Sequence, residues 1–366
     1  ATAPPEKRNL HDLYGITPVE FPAELTEAVK ADPEANIGEL IAYIEEHTET
    51  EKQKVRHAHD WIAQNIAYDL AQKDGEAESI TDAYGVIAHG RSVCAGYANA
   101  FKMLLDRLNI ENRLLSGYAR GGSFKPFEED GRDPGETNHA WTAVRLDGTW
   151  RLIDSTWNAG YTGEEGFEFA YKHNYYMQSL RGFLHTHYHP DPEWQLLEDP
   201  VTFSEFVEMP YLRGSFFRLG MRPDPGHSRV TVMEDKAEDS LIFPWPQRGE
   251  ERLYLHSKLI DHESGERIRN YTLEEPAGEN EVRVRVRFPG TGRYAVKMSA
   301  RTKENNYYGL GSYFFEVKSL DEPLPPFPSL HPRFYELGME PDPKQAGLTV
   351  LRARGEDELL FPLPRS

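Results

Sequence analysis

One thiol, one imidazole and one carboxylate stand out as side chains that could act together. The thiol is Cys94, the only cysteine among 366 residues, in the stretch RSVCAGYANAF at 91–101. A polar, glycine-bearing approach (Gly90, Ser92) runs into a helical pattern. Ala98, Phe101, Leu105 and Leu108 follow Cys94 at spacings of four, three, four and three, which predicts one helix face with Cys94 at its first turn. That position matters chemically. A free thiol has a pKa near ~8.5, so only a few per cent is thiolate at neutral pH. A helix N-terminus carries roughly half a positive charge, which favours the thiolate. Its unpaired N–H groups can also receive an oxyanion as it forms.

A nucleophile of this kind needs a base, and the base needs an orienting partner. Both are predicted by NHAWTAVRLDGTWRLIDSTW at 138–157. Asp147-Gly148 is a strong two-residue hairpin signal between two alternating apolar runs. With those two residues as the loop, Leu146 pairs with Thr149, His139 lies opposite Thr156, and Asp154 lies opposite Trp141. His139 and Asp154 then share a face as diagonal neighbours, with Cα atoms roughly 7–8 Å apart. A slip of one residue would send one of them to the other face.

The order of a helix-starting Cys in VCAGYANAF, a strand His in NHAWTAV and an Asp in WRLIDSTW resembles the transglutaminase-like superfamily. KVRHAHDWIAQNIAYD (54–69) upstream and EWQLLEDPVTFSEF (193–206) downstream are similar to the kyphoscoliosis peptidase branch of it. The resemblance covers roughly residues 40–215, and five stretches occur in the right order. It implies Cys94 as nucleophile, His139 as general base and acid, and Asp154 as the residue orienting His139. It leaves the reaction open, since superfamily members hydrolyse peptides, cross-link glutamine to amines, deamidate, or have lost activity.

Composition bounds the alternatives. With 39% hydrophobic and 28% charged residues the chain reads as globular, and its length allows two or three domains. A formal net charge of −19 argues against nucleic acid or an anionic membrane as the main partner. It suits solubility, or a preference for basic peptide or amine substrates. One cysteine excludes an intrachain disulfide and any multi-cysteine metal site. No apolar run approaches the ~18 residues of a membrane span. The opening ATAPPEKRNLHDLYG lacks an apolar core of the signal-peptide kind, and a cytoplasmic protein and the mature form of an exported one both fit.

Ahead of the cysteine, residues 1–20 read as a proline-punctuated arm. FPAELTEAVKAD and NIGELIAYIEEH read as short helices. KQKVRHAHDWIAQNIAY reads as a third, with Val55, Ala58, Ile62 and Ile66 on one face. Trp61 and Tyr68 flank that stripe; each is a core residue or an edge of the site able to supply a second oxyanion donor. RLLSGYAR (113–120) reads as a strand. The aperiodic GGSFKPFEEDGRDPGET (121–137), with Lys125 and Arg132 against five carboxylates, is a solvated excursion or a lid. Asn138 serves a turn or binds substrate. His185, His187 and His189 would share one face of a strand; no Cys, Asp or Glu stands at a ligand-like position among them, which weighs against a metal site. Trp194, Leu196 and Leu197 are expected to close the first domain.

After about residue 208 the chain becomes a series of short alternating runs with Gly, Pro and Asn punctuation: RVTVMED, SLIFPWP, RLYLHSKLI, RIRNYTL, EVRVRVRF, RYAVKMSA and SYFFEVK. This predicts an immunoglobulin-like β-sandwich. In EVRVRVRF, Val282, Val284, Val286 and Phe288 face inward and three arginines form a basic stripe outside. FRLGMRPDP (217–225) returns as YELGMEPDP (335–343), and SLIFPWP (240–246) as ELLFPLP (358–364), at the same displacement of 118 residues. The second copy holds about a third of a sandwich, too few strands to cover its own apolar face. It therefore docks on a neighbour or belongs to a longer tandem array, joined by the stiff segment DEPLPPFPSLHP (321–332).

The expected fold class is an α+β papain/transglutaminase-like catalytic domain, then an all-β immunoglobulin-like sandwich and a partial second β-repeat. The expected divisions are 1–36 (arm and first helix), 37–208 (catalytic domain), 209–326 (sandwich) and 327–366 (partial copy). The expected chemistry is acyl transfer on peptide or glutamine carboxamide bonds through a thioester on Cys94, with no cofactor or metal required. The alternative is a catalytically idle scaffold whose β-domains dock on cytoskeletal or cell-surface proteins.

Overall fold

The computed structural model describes residues 16–121, 124–128, 137–163, 166–249, 251–302 and 307–327. Most of the expected arm, most of the 121–137 segment and the second β-copy therefore lie outside the described residues. The chain forms two compact units, 1–123 with 131–206, and 124–130 with 207–366.

In the first unit, helices Ala23–Ala31, Pro33–Glu46 and Glu51–Asn65 precede the Cys94–Arg107 helix. Local signals set their ends. Asp32 accepts from the Ala35 N–H ahead of Pro33 at the first position, and Thr50 with Gln53 forms a reciprocal capping box. The predicted apolar face of the third helix is fully buried at Val55, Ala58 and Ile62. It packs in one cluster with Phe101, Leu104 and Leu105 of the cysteine helix. A four-stranded antiparallel sheet runs in the order Thr149–Ile153, His139–Leu146, Asn112–Ala119, His187–Tyr188. Gly117 is obligatory there: a Cβ would stand 2.3 Å from the Trp141 ring and 2.4 Å from the Tyr188 carbonyl.

The hairpin has the predicted register from Leu146–Thr149 to Thr142–Ile153, and no further. Its far edge is claimed by another segment: Asp154 N–H donates to the Tyr175 carbonyl, and Met177 N–H to that of Leu152. Asp154 then caps a short helix, Ser155–Ala159, by accepting from the Trp157 N–H at 3.1 Å. Thr156 is thus helical, and the expected pairings of His139 with Thr156 and of Asp154 with Trp141 are not made.

In the second unit, the two sheets of a sandwich carry the expected runs. One orders Val230–Met233, Tyr307–Val317, Gly292–Arg301, Tyr254–Asp261 and Arg267–Ile268, with Tyr211–Leu212 also on Tyr307–Val317. The other orders Glu238–Pro244, Glu281–Arg287 and Thr272–Pro276. Rings meet across the core, Phe243 with Tyr313 at 5.7 Å and Phe288 with Phe315 at 5.1 Å. Val282, Val284, Val286 and Phe288 are fully buried, as their alternation predicts. The arginine stripe is not a free basic surface. Arg283 pairs with Glu275, Arg285 with Glu238 and Glu275, and Arg287 with Glu238. Arg287 also lies over the Phe327 ring at 4.1 Å and donates to the Pro325 carbonyl, fixing the start of the proline-rich joint. Residues 124–128 of the 121–137 segment pack within this unit: Phe124 stacks on Tyr211, and Arg229 donates to the carbonyls of Pro126 and Glu128.

Candidate active site

Cys94 is the first residue of its helix, after Val93, which offers no side-chain cap to the first turn. Ala98, Phe101, Leu105 and Leu108 are buried below it, and Cys94 itself stays partly accessible. The turn is tight. Ser92 donates to the Ile80 carbonyl at 2.5 Å, and a Cβ on Gly96 would stand 2.0 Å from the Ser92 hydroxyl.

His139 opens its strand opposite Gly117. Asn138, just ahead, clamps the neighbouring strand with its amide, accepting from the Ala119 N–H at 2.7 Å and donating to the Ala119 carbonyl at 3.1 Å. It serves as a backbone mimic that extends the ladder. His139 Nε2 lies 2.9 Å from Asp154 Oδ2. The Cys94 thiol lies close enough to the same imidazole for the two groups to shift each other's pKa. With Nε2 taken by Asp154, Nδ1 is the ring nitrogen left to face sulfur.

The electrostatics follow from this arrangement. Burial raises the Cys94 pKa, but the hydrogen bond and charge of His139, with the Ala140 N–H, overcome it and hold the thiol below its usual range. Burial lowers the His139 pKa, and the charge and hydrogen bond of Asp154, then Cys94, carry it up to about 10. Asp154 is fully buried, which disfavours its charge; His139 and then His187 hold it well below the usual carboxylate range. A thiolate–imidazolium pair supported by a buried carboxylate is the state these shifts favour.

His187, weighed in the sequence only as one of three alternating histidines, is part of this constellation. Its Nε2 lies 3.1 Å from Asp154 Oδ2, the oxygen already bonded to His139. The three histidines do not share a strand face. His185 ends the Leu180–Leu184 helix, His189 bonds to the backbone of Asp191, and only His187 reaches the site. One ligand atom each from His139, Asp154 and His187 lies within 4.8 Å of the others, so these three are the described residues best placed to hold a metal. The spacings of 2.9 and 3.1 Å are those of two N–H donors on one oxygen. Trp61 is fully buried in the helical core. Tyr68 is half-buried; burial first, then the charges of Cys94 and Asp154, push its pKa up to about 12.

A transglutaminase-like superfamily model matches residues 39–155, and a KY-like immunoglobulin-like model matches 203–328. The chain is a transglutaminase-like domain followed by an immunoglobulin-like domain. Cys94, His139 and Asp154 all fall inside the first match. Human kyphoscoliosis peptidase is 25% identical over 83% of this chain and 48% of its own length. The mouse kyphoscoliosis peptidase is 28% identical over 56% of this chain and 31% of its own. Hillarin of Drosophila melanogaster is 23% identical over 80% of this chain and 38% of its own. The chain thus spans about half the length of the human relative or less of the others. A solved TGase structure aligns at a TM-score of 0.26 with 19% identity over 39% of this chain and 35% of its own, too slight an overlap to add to the family matches. No helix among the described residues is long and apolar enough to cross a membrane.

Proposed function

We propose that this transglutaminase-like chain is a cysteine-dependent acyl-transfer enzyme acting on peptide or glutamine carboxamide bonds. The observation that carries the reading is His139, whose Nε2 is bonded to Asp154 and whose nearness lowers the pKa of the thiol at a helix start. In the first half-reaction the Cys94 thiolate attacks the carbonyl carbon. The His139 imidazolium gives its proton to the departing nitrogen, which leaves as an amine or as ammonia, and a thioester remains on sulfur. In the second, neutral His139 takes a proton from the incoming nucleophile, and the thiolate is expelled as the carbonyl re-forms. The Cys94 backbone N–H receives the oxyanion, with the Tyr68 hydroxyl as second donor. Asp154 keeps the proton-bearing Nε2 of His139 turned toward itself.

Water as acceptor gives hydrolysis, and the similarity to a human protein named as a peptidase favours water over an amine. The test offers the intact chain a peptide library with and without a labelled amine. Cleaved peptide, incorporated amine or released ammonia identifies the reaction, and each should vanish in Cys94→Ala. A protein whose Cys94 alkylates with iodoacetamide at pH 6 no faster than an ordinary thiol would instead be the scaffold, docking through its β-domains.

A further inference from the structure

Asp154 Oδ2 accepts from two imidazoles, and the proposed mechanism uses only one of them. The second is held more firmly than a core histidine requires. His187 is buried at the sheet edge, where it pairs with Ala119. Its ring stacks on Phe183 at 4.1 Å and is walled by Trp157 at 4.6 Å, Trp141 at 5.2 Å and Tyr175 at 5.3 Å. Both nitrogens are engaged, Nδ1 with Thr186 Oγ1 at 2.9 Å and Nε2 with Asp154 at 3.1 Å.

We infer that His187 is a positioning residue: a neutral imidazole whose Nε2–H pins the shared oxygen of Asp154 and thereby keeps His139 aimed at Cys94. The inference rests on the acyl-transfer reading above. Asp154 is an acceptor only when ionised, so the proton between it and His187 belongs to Nε2. A neutral ring then has a bare Nδ1, and the Thr186 hydroxyl, 2.9 Å from it and 3.3 Å from the Phe183 carbonyl, shares its one proton between these two acceptors. Burial among apolar rings disfavours a charge here and brings the His187 pKa down to about 4, against the pull of Asp154. The ionisable groups facing the ring are Asp154, His139 at 5.5 Å and Tyr175, so the site holds one imidazolium and one neutral imidazole on a single carboxylate. Without the second donor, Oδ2 would be held by His139 alone and Oδ1 by the Trp157 N–H, and the carboxylate and imidazole could shift together away from the thiol. A misplacement of ~1 Å is enough to misalign a proton relay.

The experiment compares second-order iodoacetamide rates at Cys94, from pH 4 to 9, in the full chain and in three variants, with thermal melts alongside. His187→Phe fills the aromatic cage without a donor. At pH 6 it should react about tenfold more slowly, with the acid limb moved up by about one pH unit. His187→Gln, which restores an N–H, should return to within about threefold of the parent. A wild-type profile in His187→Phe, or equal losses in the Phe and Gln variants, overturns the positioning role. Should His187→Phe not fold, ¹⁵N-histidine NMR of the parent decides: a neutral Nε2–H tautomer from pH 5 to 8 supports the role, and a cationic or Nδ1–H ring overturns it. His139→Ala separates the two proposals. If it keeps the fast rate, the nucleophile reading fails, whatever His187 does.

Discussion

His139 and Asp154 meet at 2.9 Å although the hairpin that carries them never pairs them. The ladder closes at Thr142–Ile153. Asp154 reaches the imidazole as the cap of the helix that follows, its two oxygens divided between the Trp157 N–H and the two histidines. The contact is therefore sensitive to which group stands at 154 as well as to backbone register. Asp154→Asn keeps the capping acceptor but presents an amide N–H to His139 Nε2. It would turn the ring to the Nδ1–H tautomer, which cannot take a proton from sulfur. Alkylation of Cys94 at pH 6 should fall by about 10²-fold or more, with the melting temperature changed far less.

Turnover and thiol labelling should respond differently to pH. The Cys94 thiol is held below its usual range by His139, so both rates should rise on an acid limb below that of a free cysteine. Alkylation needs only the thiolate and should then stay level. Acyl transfer also needs the His139 proton for the departing nitrogen, and its rate should fall as pH passes about 10. Initial rates of peptide cleavage or amine incorporation from pH 4 to 11 check this; a turnover profile with no basic limb contradicts the assigned proton donor.

Much of this site was legible in the sequence because its parts obey short-range rules. The spacing after Cys94 places it at a helix start, and Asp147-Gly148 fixes a register that holds for every pair the hairpin makes. What the sequence could not show depends on contacts between distant segments. The 175–177 segment strips Ile153 and Asp154 from the hairpin, and the pairing of Ala119 with His187 brings the second imidazole to Asp154. The only local signal for His187 was its place in an alternating histidine run, and that run points nowhere, since its neighbours end a helix and a strand. In the sandwich the inward valines were readable by period. The neutralisation of the arginine stripe was not, because Glu238 and Glu275 come from other strands.

The same buried groups set a pH optimum for stability. His187 has a lower pKa folded, about 4, than in an unfolded chain, where a histidine titrates near ~6.5. Between those values the unfolded chain binds the proton and the folded protein does not, so stability falls as pH drops through the window, by roughly 3 kcal/mol at its lower end. Asp154, depressed in the folded state, adds a further loss below the usual carboxylate range. His139 acts on the other side: its raised pKa contributes fully below ~6.5 and is lost as pH climbs through about 10. Urea midpoints at pH 7 and pH 4.5 should differ accordingly, and His187→Phe should flatten the difference.

In the second unit, Glu238 is the test of whether the arginine stripe is structural. Its carboxylate bonds Arg285 at 2.5 Å and Arg287 at 2.8 Å. Arg287 has a side chain only 2% exposed, and its remaining partners are a carbonyl and the face of Phe327. Glu238→Ala leaves a buried guanidinium without a counter-charge, an error that costs about 3 kcal/mol when one member of such a pair is removed. Arg283→Ala removes a half-exposed charge from the same strand and should cost less than about 1 kcal/mol. Denaturant unfolding of the two variants should therefore separate them clearly. Equal, small effects would mean that Glu238 is a surface partner and that the stripe remains available to an acidic ligand.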